Sequence, residues 1–162
     1  MYNNLKDYIS QAKWDDGWTT DSSVLIPYLT QRAYTARIDR LIHAGRLVLC
    51  SVVAEEIMAG ARDQDERRRY DRFFAPFLRL RLVVTPDEQA WRGCGRVLSR
   101  YRERYGAIEP RDHQNDVLIV LAARQLASEQ VVTLITENDA DLITWHSLLG
   151  DRSALRIEPA RR

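Results

Sequence analysis

Apolar positions recur along this chain with two alternating periods. In HQNDVLIVLAARQL, Val117, Leu118, Leu121, Ala122 and Leu126 return every three or four residues, which predicts a helix. VVTLIT follows as a short β-branched run, the pattern of a fully buried strand, and empties into Thr136, Glu137, Asn138, Asp139 and Asp141. The same alternation runs upstream. Trp18 to Thr20 reads as a brief strand ending at Asp21, Leu47 to Cys50 as a second strand and Leu82 to Val84 as a third. Val24 to Ile26 is ambiguous: either a strand stopped by Pro27, or a helix capped by Ser22 or Ser23 with Pro27 in its first turn. Helix-favouring residues then run from Ala33 to Ala44 and stop at Gly45. Ser51 stands at an N-cap before VVAEEIMAGARD. An arginine-rich helix passes Tyr70, Phe73 and Phe74 to Pro76, and Trp91, Cys94, Leu98, Tyr101 and Tyr105 mark an amphipathic helix. Gly106 and Pro110 punctuate a loop, Leu142 to Leu149 reads as a short helix or turn, and Leu155 to Ile157 as an edge strand.

Strand and helix in alternation imply a three-layer α/β/α fold with a mostly parallel central sheet. Residues 1–17 carry Leu5, Tyr8, Ile9 and Ala12 at helical spacing before an acidic turn at Asp15, Asp16 and Gly17. The expected organisation is therefore a helical N-terminal extension over 1–17, one domain over 18–158 and a tail over 159–162. A chain of 162 residues is long enough for one substantial core. Leu47 to Ala54, its longest nearly apolar run, is far too short to span a bilayer, and the N-terminus lacks the pattern of a secretory signal. Cys50 and Cys94 show no metal-type spacing, so the expected setting is reduced and cytoplasmic, with no membrane partner.

Net charge is +1, so overall basicity gives no pointer to nucleic acid, but its distribution is uneven. Apart from Lys6 and Lys13 every basic residue is arginine, and between Arg62 and Arg104 twelve arginines face seven acids. Guanidinium forks suit phosphate oxygens or the acids of a partner protein; local ion pairing on a solvated helix face is the ordinary alternative.

Acids recur where strands end or the next helices begin: Asp21, Glu55 and Glu56, Asp112 and Asp116, and Asp139 and Asp141. Parallel strands would bring them to one sheet edge, where ligands of open α/β sheets gather. Carboxylates ~4 Å apart repel by about 4 kcal/mol at an effective dielectric of 20, so such a cluster needs a proton or a cation. Oxygen ligands suit Mg²⁺ or Mn²⁺ rather than zinc, and an ion so held can activate water against a phosphodiester. Each acid taken singly reads more simply as a cap, a turn former or an exposed ion pair. Trp91, Tyr101 and Phe73 read as core or interface, and His43, His113 and His146 imply no catalytic triad.

Four stretches in order resemble the PIN-domain nucleases, and among them the VapC-type toxins of bacterial toxin–antitoxin pairs. DSSVLIPYL resembles the opening D-[ST]-x-V-L-I motif, and SVVAEEIMAG resembles S-x-x-x-x-E-[LI]-x-x-G, which selects Glu56 over Glu55. NDVLIVLAA resembles D-x-x-I-A-A and selects Asp116 over Asp112; LITENDADL resembles T-x-[ND]-x-x-[DH]-F through Thr136, Asn138 and Asp141. The resemblance implies a PIN fold, makes Val24 to Ile26 the start of the first helix, and implies an Mg²⁺- or Mn²⁺-dependent ribonuclease neutralised by a VapB-type antitoxin, dimeric by likeness. It implies catalytic roles for Asp21, Glu56, Asp116 and Asp141, with Asp21 and Asp116 holding the metal, and Ser22, Asn115, Thr136 and Asn138 orienting carboxylates or waters. The chain departs from the pattern by placing about twenty residues before Asp21, and by carrying Asn138 where aspartate is common, so that Asp141 or Asp139 completes the cluster. The competing reading is a PIN-like module that binds RNA or protein without cutting. A phosphohydrolase of another α/β fold is disfavoured, because Asp21 lacks the second aspartate of a D-x-D site.

Overall fold

In the computed structural model, residues 16–150 and 153–161 are described, and they form five strands and seven helices. β1 (Asp16–Thr20) pairs with β4 (Val131–Thr136), which pairs with β5 (Leu155–Pro159); β2 (Leu49–Cys50) pairs with β3 (Val83–Val84). All these ladders are parallel. A single parallel bridge from Trp18 to Leu47 joins the two pieces, with Trp18 N–H donating to Arg46 C=O and Val48 N–H to Trp18 C=O. The sheet order is therefore β3-β2-β1-β4-β5, and the order reverses between β1 and β4. Crevices at such reversal points, beyond the strand carboxyl ends, are where open α/β sheets bind ligands.

The helices are α1 (Ser22–Gln31), α2 (Thr35–His43), α3 (Ser51–Ala59), α4 (Gln64–Arg79), α5 (Glu88–Tyr105), α6 (Pro110–Leu126) and α7 (Asp139–Ser147). α6 is the central one. Val117, Leu118, Ile119 and Val120 are all buried, as expected of a helix enclosed on several sides. It packs against the sheet and runs antiparallel to α5: Gln125 near its end bonds Thr85 and Asp87 before α5, while His113 near its start meets Tyr101 late in α5. Gly93 permits the close approach, since a Cβ there would lie 3.3 Å from Leu121. Among the described residues no helix is long and apolar enough to cross a membrane.

The expected three-layer α/β/α fold with a mostly parallel sheet is present, and Val24 to Ile26 are helical as the family resemblance implied. Other boundaries moved. Asp16 and Gly17 belong to β1 rather than to a turn, because they pair with Val131 and Val132; the N-terminal helix expected over 1–17 otherwise lies outside the described residues. The chain does not pass smoothly from α1 into the next helix, because Arg32 and Tyr34 take left-handed conformations and kink it. Gly45 (φ +64) does end α2 as expected. Ser51 is the first residue of α3 rather than its cap, and α3 stops at Ala59 before Gly60, leaving Asp63 to cap α4 through Glu66 N–H. Pro110 opens α6 at its first turn, where a missing N–H costs nothing, rather than lying in the loop. β5 extends to Pro159 against Thr136, and of the core or interface expected for Trp91 the core is excluded, since it lies half exposed on α5.

Candidate active site

Asp21 follows β1 directly and occupies the N-cap position of α1, yet its side chain makes no cap hydrogen bond. Its carboxylate turns instead toward the β4 edge. Ser23 Oγ donates to Oδ1 at 2.6 Å and Thr136 Oγ1 donates to Oδ2 at 2.5 Å. Both hydroxyls are themselves fixed by the turn after β4: Glu137 N–H donates to Ser23 Oγ at 2.9 Å, and Asn138 N–H to Thr136 Oγ1 at 2.8 Å. Asp21 and Thr136 are buried, so this is a rigid arrangement in which both carboxylate oxygens are oriented from the protein side. A residue of good capping type that does not cap marks a place where a local rule has yielded to another requirement.

Glu56 enters from α3 and is half buried. Asn115 Nδ2 donates to its Oε1 at 2.9 Å, while Oε2 is buried with no hydrogen-bond partner. A buried carboxylate oxygen without a donor is costly unless something outside the protein meets it. Glu55, one residue earlier and about 100° around the helix, is exposed and lines a separate apolar groove with Met58, Phe74 and Leu78.

Asp116, in the second turn of α6, lines a cleft together with Asp21. Burial, and then the charges of Glu56 and Asp21, push its carboxyl up to about 6; His113 opposes the rise and Asp141 adds to it. Burial likewise pushes Asp21 above the ordinary aspartate value, against the lowering hydrogen bonds from Ser23 and Thr136 and the nearby Val24 amide dipole, and the charge of Glu56 adds to the rise. The charges of Asp21, Glu56 and Asp116 thus act on one another, with a smaller effect from the exposed Asp141. Asp112, one turn earlier on α6, is exposed. The cleft itself, about 380 Å³, is lined by Asp21, Ser22, Ser23, Ile26, Pro27, Asp116 and Asn138.

Asp139 and Asp141 were expected in a polar turn but lie in the first turn of α7, where the helix dipole favours negative charge. Asn138 holds the N-cap position without a side-chain cap bond, and its side chain is among those lining the cleft. Ser22, expected to orient a carboxylate, lines the cleft, whereas the hydroxyl bonded to Asp21 belongs to Ser23. Ser23 was missed because two serines in succession differ only in helical rotation. Tyr34 was also missed. It sits in the kink between α1 and α2, and its hydroxyl donates to Glu137 beside the site.

The donors gathered here are all oxygen, as a hard divalent cation requires, and Glu56 Oε2 is available to it. Among the described residues no group of three or more His, Cys, Asp or Glu side chains forms a ready-made metal cage.

A parallel sheet in this order, with Asp21 and Asp116 lining a cleft at its carboxyl edge and Glu56 close enough to act on both, defines a three-layer α/β/α protein with an acidic carboxyl-edge site. The PIN domain model matches residues 19–143, and the chain belongs to the PIN-domain family. No curated protein matches it. Similar solved structures include DNA-bound VapBC from Salmonella typhimurium (TM-score 0.58, 17% identity, 88% of this chain and 97% of that one). VapBC2 from Rickettsia felis, bound to a DNA fragment from its promoter, gives 0.61 at 14% identity, covering 89% of this chain and 98% of that one. FitAB bound to an IR36 DNA fragment gives 0.60 at 15% identity, with 88% and 94% covered. At these identities the likeness is one of fold.

Proposed function

We propose that this chain is a divalent-metal-dependent ribonuclease and the toxin of a VapBC-type pair, acting in the cytoplasm as a homodimer held in check by a VapB-type antitoxin. The observation that carries the nuclease reading is the coupled set Asp21, Glu56 and Asp116, with one carboxylate pinned by two hydroxyls and another left with a buried, unpartnered oxygen. Membership of the PIN family supports it, and the fold shared with VapBC and FitAB structures supports the antitoxin partner.

Asp21 and Asp116 would hold Mg²⁺, or Mn²⁺ in its place. When bound, the ion supplies charge neutralisation and water activation for attack on the phosphodiester. Glu56, oriented by Asn115, takes the proton of the attacking water. Thr136 and Ser23 keep both Asp21 oxygens aimed, so the pocket needs little reorganisation when RNA arrives. Asp141 completes the negative pocket from α7, a role favoured over Asp139 by the effect of its charge on Asp116. Asn138, on the cleft wall, orients a water or a phosphate oxygen.

The test is RNA cleavage by the antitoxin-free protein with Mg²⁺ or Mn²⁺, wild type against Asp116→Asn. Activity in wild type, abolished by the substitution and by chelator, is expected. Equal activity in both, or none in wild type, would sink the assignment. One observation favours the alternative of an RNA-binding module that does not cut, namely the weak fourth acidic corner, where Asp141 is exposed and Asn138 lines the cleft. RNA retention without turnover would select that alternative.

A further inference from the structure

A row of rings extends from the acidic cleft along the seam of α5, α6 and α7. His113 lies one turn before Asp116 on α6, close enough for its charge to act on that carboxyl, and Trp145 lies one turn after Asp141 on α7. The rings of His113 and Trp145 are 5.3 Å apart, Trp145 and Tyr101 4.6 Å, and Tyr101 and Tyr105 4.7 Å. Tyr101 and His113 are also stacked, at 6.4 Å and 25°. The row runs from buried to exposed. Trp145 is 3% accessible, whereas Tyr105, the last ring, is 52% accessible and carries the Arg104 guanidinium 5.5 Å over its face.

A packing role explains Trp145 and Tyr101, which close the three helices on one another. It does not explain an exposed Tyr105 at the outer end of the row with an arginine plane above it. Exposed ring faces, one flanked by a guanidinium, are the means by which proteins hold unpaired bases. The surrounding exposed charges balance, Arg102, Arg104 and Arg111 against Glu103, Glu109 and Asp112, so a general positive field does not supply the attraction.

We infer that Tyr105, backed by Tyr101 and flanked by Arg104, is a stacking platform for an unpaired base of single-stranded RNA at the outer end of the ring row that starts one helical turn from Asp116. This assignment rests on the nuclease reading for its choice of RNA. The hydroxyl of Tyr105 is not needed; its ring is.

The test uses the full chain carrying Asp116→Asn, so that nothing is cut, with a labelled octameric single-stranded RNA and copies carrying one abasic ribose at each position in turn. With Tyr105 present, an abasic ribose at one position weakens binding about five- to hundredfold, the range of a single base–aromatic stack. Tyr105→Leu weakens the intact octamer by a similar factor and abolishes the abasic penalty, while Tyr105→Phe retains both. Because that ring is half exposed, melting temperatures should change little and will show that the variants fold. A penalty that survives Tyr105→Leu overturns the platform, as does unchanged affinity. Absence of saturable octamer binding by the folded protein also overturns it, and leaves the patch to a protein partner. The abasic comparison does not require turnover, so failure of the cleavage assay and failure of the platform are read separately.

Discussion

Replacing Asp116 with asparagine should make the free protein more stable while removing its activity. The carboxyl is raised from 3.8 to about 6 by burial and by the charges of Glu56 and Asp21, which means the folded protein disfavours the ionised form. A shift of roughly two units corresponds to about 3 kcal/mol, at 1.36 kcal/mol per unit. Asp116 is only partly buried, and solvent screening reduces this to about 1–2 kcal/mol. Between its unfolded and folded pKa values the native state binds more protons than the unfolded state, so stability falls as pH rises across that interval. The penalty is therefore fully present above about 6 and absent below about 3.8. Urea unfolding of wild type and Asp116→Asn at pH 7.5 and pH 4.5, without divalent ions, measures it. The variant should be more stable by about 1–2 kcal/mol at the higher pH, with most of the gain gone at the lower. Millimolar Mg²⁺ should stabilise wild type and erase the difference, since an ion that binds only the native state adds to its stability. Equal stability at both pH values, or a less stable variant at pH 7.5, would refute the electrostatic reasoning.

Other outcomes follow from the same contacts. Thr136→Val keeps the shape of a buried side chain but removes a donor to Asp21 and an acceptor for Asn138 N–H; thermal melts should show a loss of about 1–3 kcal/mol, with RNA cleavage reduced more than RNA binding. Leu118→Ala, at a fully buried position of α6, should cost about 2–5 kcal/mol in denaturant titration without touching a cleft residue.

The fold was readable in this sequence because strand and helix periods alternate plainly and because α6 and β4 are long. β2 and β3 are two residues each, so their runs of apolar residues announced buried chain rather than the length of a ladder. The kink at Arg32 and Tyr34 was not readable, since neither is glycine and left-handed backbone at such residues is imposed by tertiary packing. Pro27 sits inside α1 rather than in its first turn, a position that propensity argues against. At the site, the family motifs separated Glu56 from Glu55 and Asp116 from Asp112, and the structure puts the first of each pair toward the cluster and the other in solvent. What composition and spacing could not supply was rotation about a helix. That is why Ser22 stood in for Ser23, and why Asp139 and Asp141 were read as a turn when they begin α7.

The single bridge between Trp18 and Leu47 gives the two halves of the sheet different kinds of bookkeeping. Asp21 and Thr136 belong to one hydrogen-bonded ladder, and their separation is fixed by register. Glu56 sits on α3, which follows the short β2–β3 pair; that pair is tied to the first ladder by the bridge, and α3 is held by packing against α1 and α6 and by the Asn115–Glu56 hydrogen bond. The gap between Asp21 and Glu56 thus depends on core side-chain volume as well as on the bond from Asn115. Changing the size of Leu47 or Val48, neither of which lines the cleft, should therefore shift Glu56 relative to Asp21 without touching either residue.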